Sequence, residues 1–390
     1  EQLKVDVTSV LDRLAPVRKI SKRVGKLDNK WLSSAAKDSK RQRQILERQY
    51  KKTRSEADRV LYKTACRKAN SEIFESRRSY YRERLTEASG DHRSIWRTAK
   101  EILHCNQASS GPEASVDRCN IISQFFLDKL DKIRVAIVDK LSTLAHVVIG
   151  MDMDSPSDIL LEFKQVLSSE VKEILGNLKN KTSPLDYIST DLIKSCADVF
   201  VPAITHLANL SFSSGHFPRS FKIAHITPIV KKPGLDECDP GNLRPISNLN
   251  TISKILEKLA WTRLRPYVVD NVNFSQMQSG FRTAHSTETA LLKVADDILS
   301  GADSQSTTIL LSLDISAAFD ALDHQVLLAR AQSEFGVSGT ALQWLSSYLC
   351  DRTSYVALGS LKSVVSPCFS GVPQGSVLRP FLFSMFVAPI

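Results

Sequence analysis

The sequence has little of what would mark a secreted, metal-knuckle or membrane-spanning protein. Its seven cysteines, Cys66, Cys105, Cys119, Cys196, Cys238, Cys350 and Cys368, are odd in number and scattered, with no Cys-x-x-Cys pair. That excludes a disulfide framework, argues against a zinc site, and leaves reduced thiols in an intracellular protein as the expectation. No window approaches the ~18 consecutive apolar residues of a membrane span, and an N-terminal signal-peptide pattern is missing. There is no proline between Pro16 and Pro112, which leaves room for long helices. The chain lacks an initial methionine, starting at Glu1, and stops at Ile390 just past an apolar run over 381–387. Both ends read as cut.

What is present is length and positive charge. The 390 residues allow two or three domains, and the formal net charge is +10, which fits a polyanion-binding surface. Residues 1–104 are rich in Lys, Arg, Glu and Gln, and their thin apolar stripe beside a broad basic face predicts one or two long helices. A solvated charged face is one account of them. Nucleic-acid contact is the other, favoured where Tyr80 and Tyr81 stand beside Arg82 and Arg84, and Trp96 beside Arg97. Residues 107–116 read as a linker, 117–147 as helix, and 150–157 as the main domain boundary. Further helices are expected over 160–178, 191–200, 252–268, 324–335 and 338–349, the last placing Trp344 in a core. Residues 217–230 alternate like a half-exposed strand, run into the tip Lys231-Lys232-Pro233-Gly234, and return over 241–248 as a hairpin. A second strand pair is expected over 352–358 and 363–368.

The stretch from Thr308 to His324 organises the rest. A near-continuous apolar run stops at Asp314 and gives way to Ile315-Ser316-Ala317-Ala318-Phe319-Asp320. This predicts a buried strand delivering a carboxylate to a strand-to-helix corner. From this stretch alone, Asp314 is equally a metal ligand or the cap of the following helix. Three further blocks accompany it: Asn242-Leu243-Arg244-Pro245-Ile246-Ser247, Gln278-Ser279-Gly280-Phe281-Arg282 and Gly371-Val372-Pro373-Gln374-Gly375-Ser376-Val377-Leu378. In this order the four blocks resemble the reverse transcriptases of LINE-type, non-LTR retrotransposons, from about Lys179 onward and more loosely before it.

The resemblance implies an α+β fold: the fingers and part of the palm of a right-hand polymerase, with a ferredoxin-like palm sheet, preceded by a basic helical region. Residues 1–150 would link to a missing upstream endonuclease, 151–310 would form an N-terminal extension and the fingers, and 311–390 a partial palm. The implied chemistry is nucleotidyl transfer by two Mg2+ ions ~3.5 to 4 Å apart, one activating the primer 3′-hydroxyl and one holding the triphosphate. Magnesium needs hard oxygen ligands. Asp314 would supply the first, helped by the backbone carbonyl of Ile315. Phe319 would sit beneath the sugar, and Gln374 and Gly375 would line the nucleotide pocket. Arg244, with Lys222 and Lys232, would close over the phosphates, and Gly280 and Arg282 would meet the template. Asp320 and Asp323 are assigned capping or hydrogen-bonding roles.

The partners implied are an RNA template, a DNA primer and dNTPs, with no membrane, in an element ribonucleoprotein of nucleus and cytoplasm. Two departures bear on activity. Arg379 stands where the family nearly always has glycine, with a clash or a displaced helix as the expectation. The family's Ala-Asp-Asp hairpin would lie shortly beyond Ile390, followed by the thumb, so the chain as it stands is expected to polymerise nothing. The rival reading is a non-catalytic nucleic-acid-binding remnant or repurposed protein.

Overall fold

The computed structural model describes residues 2–14, 30–103, 113–143, 155–156, 158–315 and 317–388. The chain divides into two compact units, one of residues Val17–Gly111 and the other of Glu1–Pro16 with Pro112–Ile390. Among the described residues no helix is long and apolar enough to cross a membrane.

The helical unit contains α2 (Ser34–Thr53), α3 (Glu56–Glu87) and α4 (His92–Ile102). The Ser33 hydroxyl caps α2 by accepting from the Ala36 amide, and Arg54 closes it in the left-handed region at φ 55°, so α2 and α3 fold back on each other. Few side chains are buried here, chiefly Ala36, Ala69 and Thr98. The unit's charge is lopsided: Val17–Gly111 holds 25 Lys and Arg against 11 Asp and Glu, leaving 27 against 31 for the rest of the chain.

The larger unit starts with α1 (Gln2–Leu14) and resumes with α5 (Val116–Thr143), α6 (Ser168–Asn177), α7 (Thr190–Ser195) and α8 (Ala197–Ser213). Strands β1 (Ile223–Val230) and β2 (Leu243–Asn248) follow, then α9 (Thr251–Val269), α10 (Thr287–Asp303), α11 (His324–Ser333) and α12 (Gly339–Leu349). It closes with β3 (Arg352–Leu358), β4 (Leu361–Lys362), β5 (Ser366–Cys368) and α13 (Arg379–Val387). Helix α9 buries Ile252, Ile255, Leu256, Leu259, Ala260 and Leu264, the spacing of one helical face. It starts where the Asn250 side chain accepts from the Ile252 and Ser253 amides. Trp344, as expected, is fully buried; it lies among Phe163, Phe212 and Phe217 at 5.5 Å.

The sheet is mixed, in the order β2-β1-β3-β4, with β5 also on β3. β1 and β2 form the expected antiparallel hairpin, Ile229 opposite Arg244, while β1 runs parallel to β3. β3 turns at Gly359 and Ser360 into the short β4, and its first residues pair with β5. Mixed helix and sheet agree with the α+β expectation. Helix 160–178 does not: only α6 forms, and Leu160 instead bridges Val337. That close approach uses Gly336 at φ +68°, whose absent Cβ would lie 2.3 Å from the Asp158 carbonyl.

The larger correction concerns residues 308–315. No strand forms there, and Ile309 is 87% and Leu313 75% exposed. A run of apolar residues makes a strand only where a partner edge satisfies its backbone. Among the described residues none pairs with it. The expected linker and domain boundary lie largely outside the described residues, at 104–112 and 144–154.

Candidate active site

The site is assembled from three loops gathered at the end of the hairpin. On β2 side chains alternate between faces, so Leu243, Pro245 and Ser247 line a cavity of about 280 Å³, whereas Arg244 is exposed and not among its lining residues. The Ser247 amide donates to the Gln374 carbonyl at 2.8 Å. The next residue, Gly375, has φ +139° and lies so close that a Cβ would fall 2.3 Å from the Ser247 oxygen. Only glycine permits this contact, and through it Gln374 joins the cavity wall.

The corner after Asp314 is sewn to the same loop. The Gly371 amide donates to the Leu322 carbonyl at 2.8 Å and the Val372 amide to Phe319 at 3.2 Å, while His324 Nε2 lies 2.8 Å from the Gly371 oxygen. Gly371, at φ +71°, leaves no room for a Cβ against the backbone of Asp320. Asp323 caps α11 as expected, accepting from the Gln325 and Val326 amides. Ala317 and Asp320 line the cavity with Gln374.

Phe319 is where the blocks meet. Its ring lies 5.9 Å from Phe281 and 4.5 Å from Phe383, and the Arg379 guanidinium stacks over it at 4.6 Å. Arg379 donates to the Asp320 carboxylate at 2.8 Å. Burial raises the Asp320 carboxyl above its ordinary value, with Arg379 opposing the shift, and burial lowers Arg379. The expected clash at 379 is thus absorbed: the cation folds onto Phe319 and Asp320, and α13 forms from this residue on. The cost remains visible in Arg379 Nε and one terminal nitrogen, buried without a hydrogen-bond partner.

The sequence reading missed two carboxylates that hold the arrangement. Glu257 on α9 is fully buried. It accepts from Ser376 Oγ at 2.8 Å, from the Val377 and Leu378 amides at 2.6 and 3.4 Å, and from Ser253 Oγ at 3.1 Å. Tyr348 reaches Ser376 Oγ at 2.6 Å, and burial with the Glu257 charge pushes its phenol well up. Asp186 accepts from the Thr251 amide at 2.7 Å and hydroxyl at 2.6 Å, tying the block around Lys179 to the start of α9. The available signal for Glu257 was its place, with Ser253, on the apolar phase of α9.

The other expected residues are dispersed. Asp314 and Ile315 are exposed, and neither lines the cavity. Lys222 is buried before β1, at the end away from the hairpin tip, and burial lowers its ammonium against the pull of Asp351. Lys232 is exposed at the tip. Arg282 folds back on its own loop, donating to the Gln276 carbonyl at 3.0 Å, and Gly280 stands beside it. Among the described residues no three His, Cys, Asp or Glu side chains are grouped to hold a metal ion. The donor set therefore does not fit a two-magnesium centre: among the described residues Asp314 belongs to no such group, and Asp320 is engaged by Arg379.

Residues 230–390 match the family described as reverse transcriptase (RNA-dependent DNA polymerase). Among curated relatives, a probable RNA-directed DNA polymerase from transposon BS of Drosophila melanogaster is 26% identical over 386 residues, covering 94% of this chain and 41% of the relative. The RNA-directed DNA polymerase from mobile element jockey of the same fly is 31% identical over 237 residues, 60% of this chain and 26% of the relative. A probable polymerase from its transposon X-element is 26% identical, over 87% of this chain and 38% of the relative. The chain thus spans about two fifths or less of these relatives.

Proposed function

We propose, from the match of residues 230–390 to the reverse transcriptase family and the likeness to polymerases of mobile elements, that the chain is the nucleotide-pocket portion of an RNA-directed DNA polymerase of the LINE-like, non-LTR kind. In this reading β1 and β2 are the fingers hairpin and residues 311–390 a partial palm. Residues 151–310 supply the N-terminal extension and fingers, and 1–150 a basic region, of which α5 packs on the finger sheet. The substrates are an RNA template, a DNA primer and dNTPs. The observation that carries the proposal is the Ser247–Gln374 bond with Gly375 beside it, which sets Gln374, Ala317 and Asp320 around one cavity.

Gln374 would meet the incoming nucleotide, Phe319 would bound the sugar, and the exposed Arg244 and Lys232 would engage phosphate oxygens when the hairpin closes. Magnesium is the family's general cofactor, and the described residues do not form a donor set that fits it. Photocrosslinking of an azido-dNTP to the 390-residue chain, mapped by mass spectrometry, tests the pocket. Labelling of the segments around Ala317 or Gln374 is expected; labelling confined elsewhere overturns it.

The exposure of Asp314 and the Arg379–Asp320 pair favour a second reading, a nucleic-acid-binding protein without catalysis. Primer extension bears on the second reading alone. The chain alone is expected to extend no primer with Mg2+, RNA template and dNTPs, and dNTP-dependent extension would remove the second reading.

A further inference from the structure

The helical unit has a cleft of its own. Phe74, Arg77, Arg78, Tyr81 and Arg82 line it along α3, and Ile102 of α4 borders it, an open groove of about 910 Å³. Positions 74, 78, 81, 82 and 85 recur on one helix face, the face a packed helix fills with aliphatic side chains. Here rings and guanidiniums share it, and the Phe74 ring is left 65% exposed.

Of the cations here, Arg78 and Arg82 are poised rather than spent. Arg77 is held between two rings, 6.0 Å from Trp31 and 5.9 Å from Tyr81. Arg78 meets only Glu75, at 3.6 Å with both side chains more than half exposed, a contact that holds little. No ion pair holds Arg82 among the described residues. Tyr80 packs edge-on against Tyr81 at 5.2 Å, fixing the ring that faces the cleft.

We infer that this face of α3 and α4 binds single-stranded nucleic acid through guanidinium–phosphate contacts and base stacking on Phe74 and Tyr81. The 25-to-11 excess of basic residues in this unit supplies the attraction to a polyanion. The exposed Phe74 ring and the half-buried Tyr81 ring between the cations select the occupant: single strands offer base faces to stack, whereas a duplex keeps its bases inside and an acidic peptide has no planar faces. A membrane surface fits poorly, because the arginines interrupt the apolar positions instead of flanking them. The inference is independent of the polymerase reading, since none of these residues belongs to the cavity beside Gln374.

The test uses the full chain and a short fluorescein-labelled RNA of mixed sequence, read by anisotropy across a salt series, with the matching duplex and a poly-aspartate peptide as competitors. Arg78→Glu/Arg82→Glu is expected to weaken binding more than tenfold and to lower the salt slope by roughly 1.4, two phosphate contacts at ~0.7 each. Phe74→Ala is expected to weaken it roughly tenfold with the slope unchanged, the loss of one stacked base. Because Phe74, Arg78 and Arg82 are exposed, circular dichroism should find all variants folded. Three results overturn the inference: no loss with the double reversal, no loss with Phe74→Ala, or competition by duplex or peptide equal to that of single strand.

Discussion

The two units of this chain solve opposite problems. Val17–Gly111 carries an excess of 14 positive charges and, among its described residues, buries almost nothing beyond Ala36, Ala69 and Thr98. The other unit has 27 basic against 31 acidic residues and buries a continuous core around Trp344. One spends its side chains on a surface and is held by local helical bonds; the other spends them on burial and can hold loops from distant parts of the chain in fixed register. Only the second can build a precise pocket, and only the first offers an uncommitted charged face. The units should therefore answer differently to core damage, pH and salt, which peptide-resolved hydrogen exchange can read separately.

The largest effect should come from Glu257→Ala. It leaves Ser376 Oγ and two backbone amides facing an apolar void, a loss of about 3 to 5 kcal/mol. Exchange should accelerate in α9 and residues 371–378 and stay unchanged in α2 and α3. Equal acceleration in both units would break the comparison. Smaller is Arg379→Gly, which frees a half-exposed Asp320 of its partner at about 1 to 2 kcal/mol, discounted for solvent screening. Adding Asp320→Asn should recover part of that loss, and a double-mutant cycle by denaturant unfolding measures it. Strict additivity would mean that the Arg379–Asp320 contact contributes nothing.

These two residues also mark the limit of what was legible in sequence. The β1–β2 hairpin could be read because period-2 alternation and a Lys-Lys-Pro-Gly tip are local signals, and the cap Asp323 acts within three residues of itself. Glu257 answers to Ser376, 119 residues away, and Arg379 to Asp320, 59 residues away; no local pattern encodes such pairs. The strand expected at 308–315 failed for a related reason. A near-continuous apolar run reports a preference for burial, but a strand also needs an edge to pair with, and composition says nothing of its supply. The four-block order was legible, and Phe319 touching both Phe281 and Arg379 is its physical counterpart.

A pH effect should follow in size. Burial, and then the Lys362 charge, lower the His225 imidazole below its ordinary value. The ring lies 5.3 Å from Tyr355. The unfolded chain then binds a proton more readily than the folded one, so stability present above about pH 6.5 is lost as pH falls through the lowered value. Thermal melts between about pH 7 and pH 5 should show β1 and β3 weakening, and His225→Gln should flatten that slope. A melt that rises on acidification would reverse the assignment.

The smallest effect, and the most diagnostic for the comparison, is salt on the helical unit. Two forces oppose each other there. Pairs such as Lys51–Glu47 at 2.8 Å and Arg59–Glu56 at 3.1 Å are solvent-exposed, hold little and weaken when screened. The repulsion among 14 surplus charges also weakens, and because it acts between many cations at once within a Debye length of about 10 Å, it should win. Raising salt should therefore slow exchange in α2 and α3 by a few tenths of a kcal/mol while β1 and β3, in the nearly balanced unit, do not respond. Faster exchange in α2 and α3 at high salt would mean that the ion pairs dominate and that this surface holds its own helices together rather than standing ready for a polyanion.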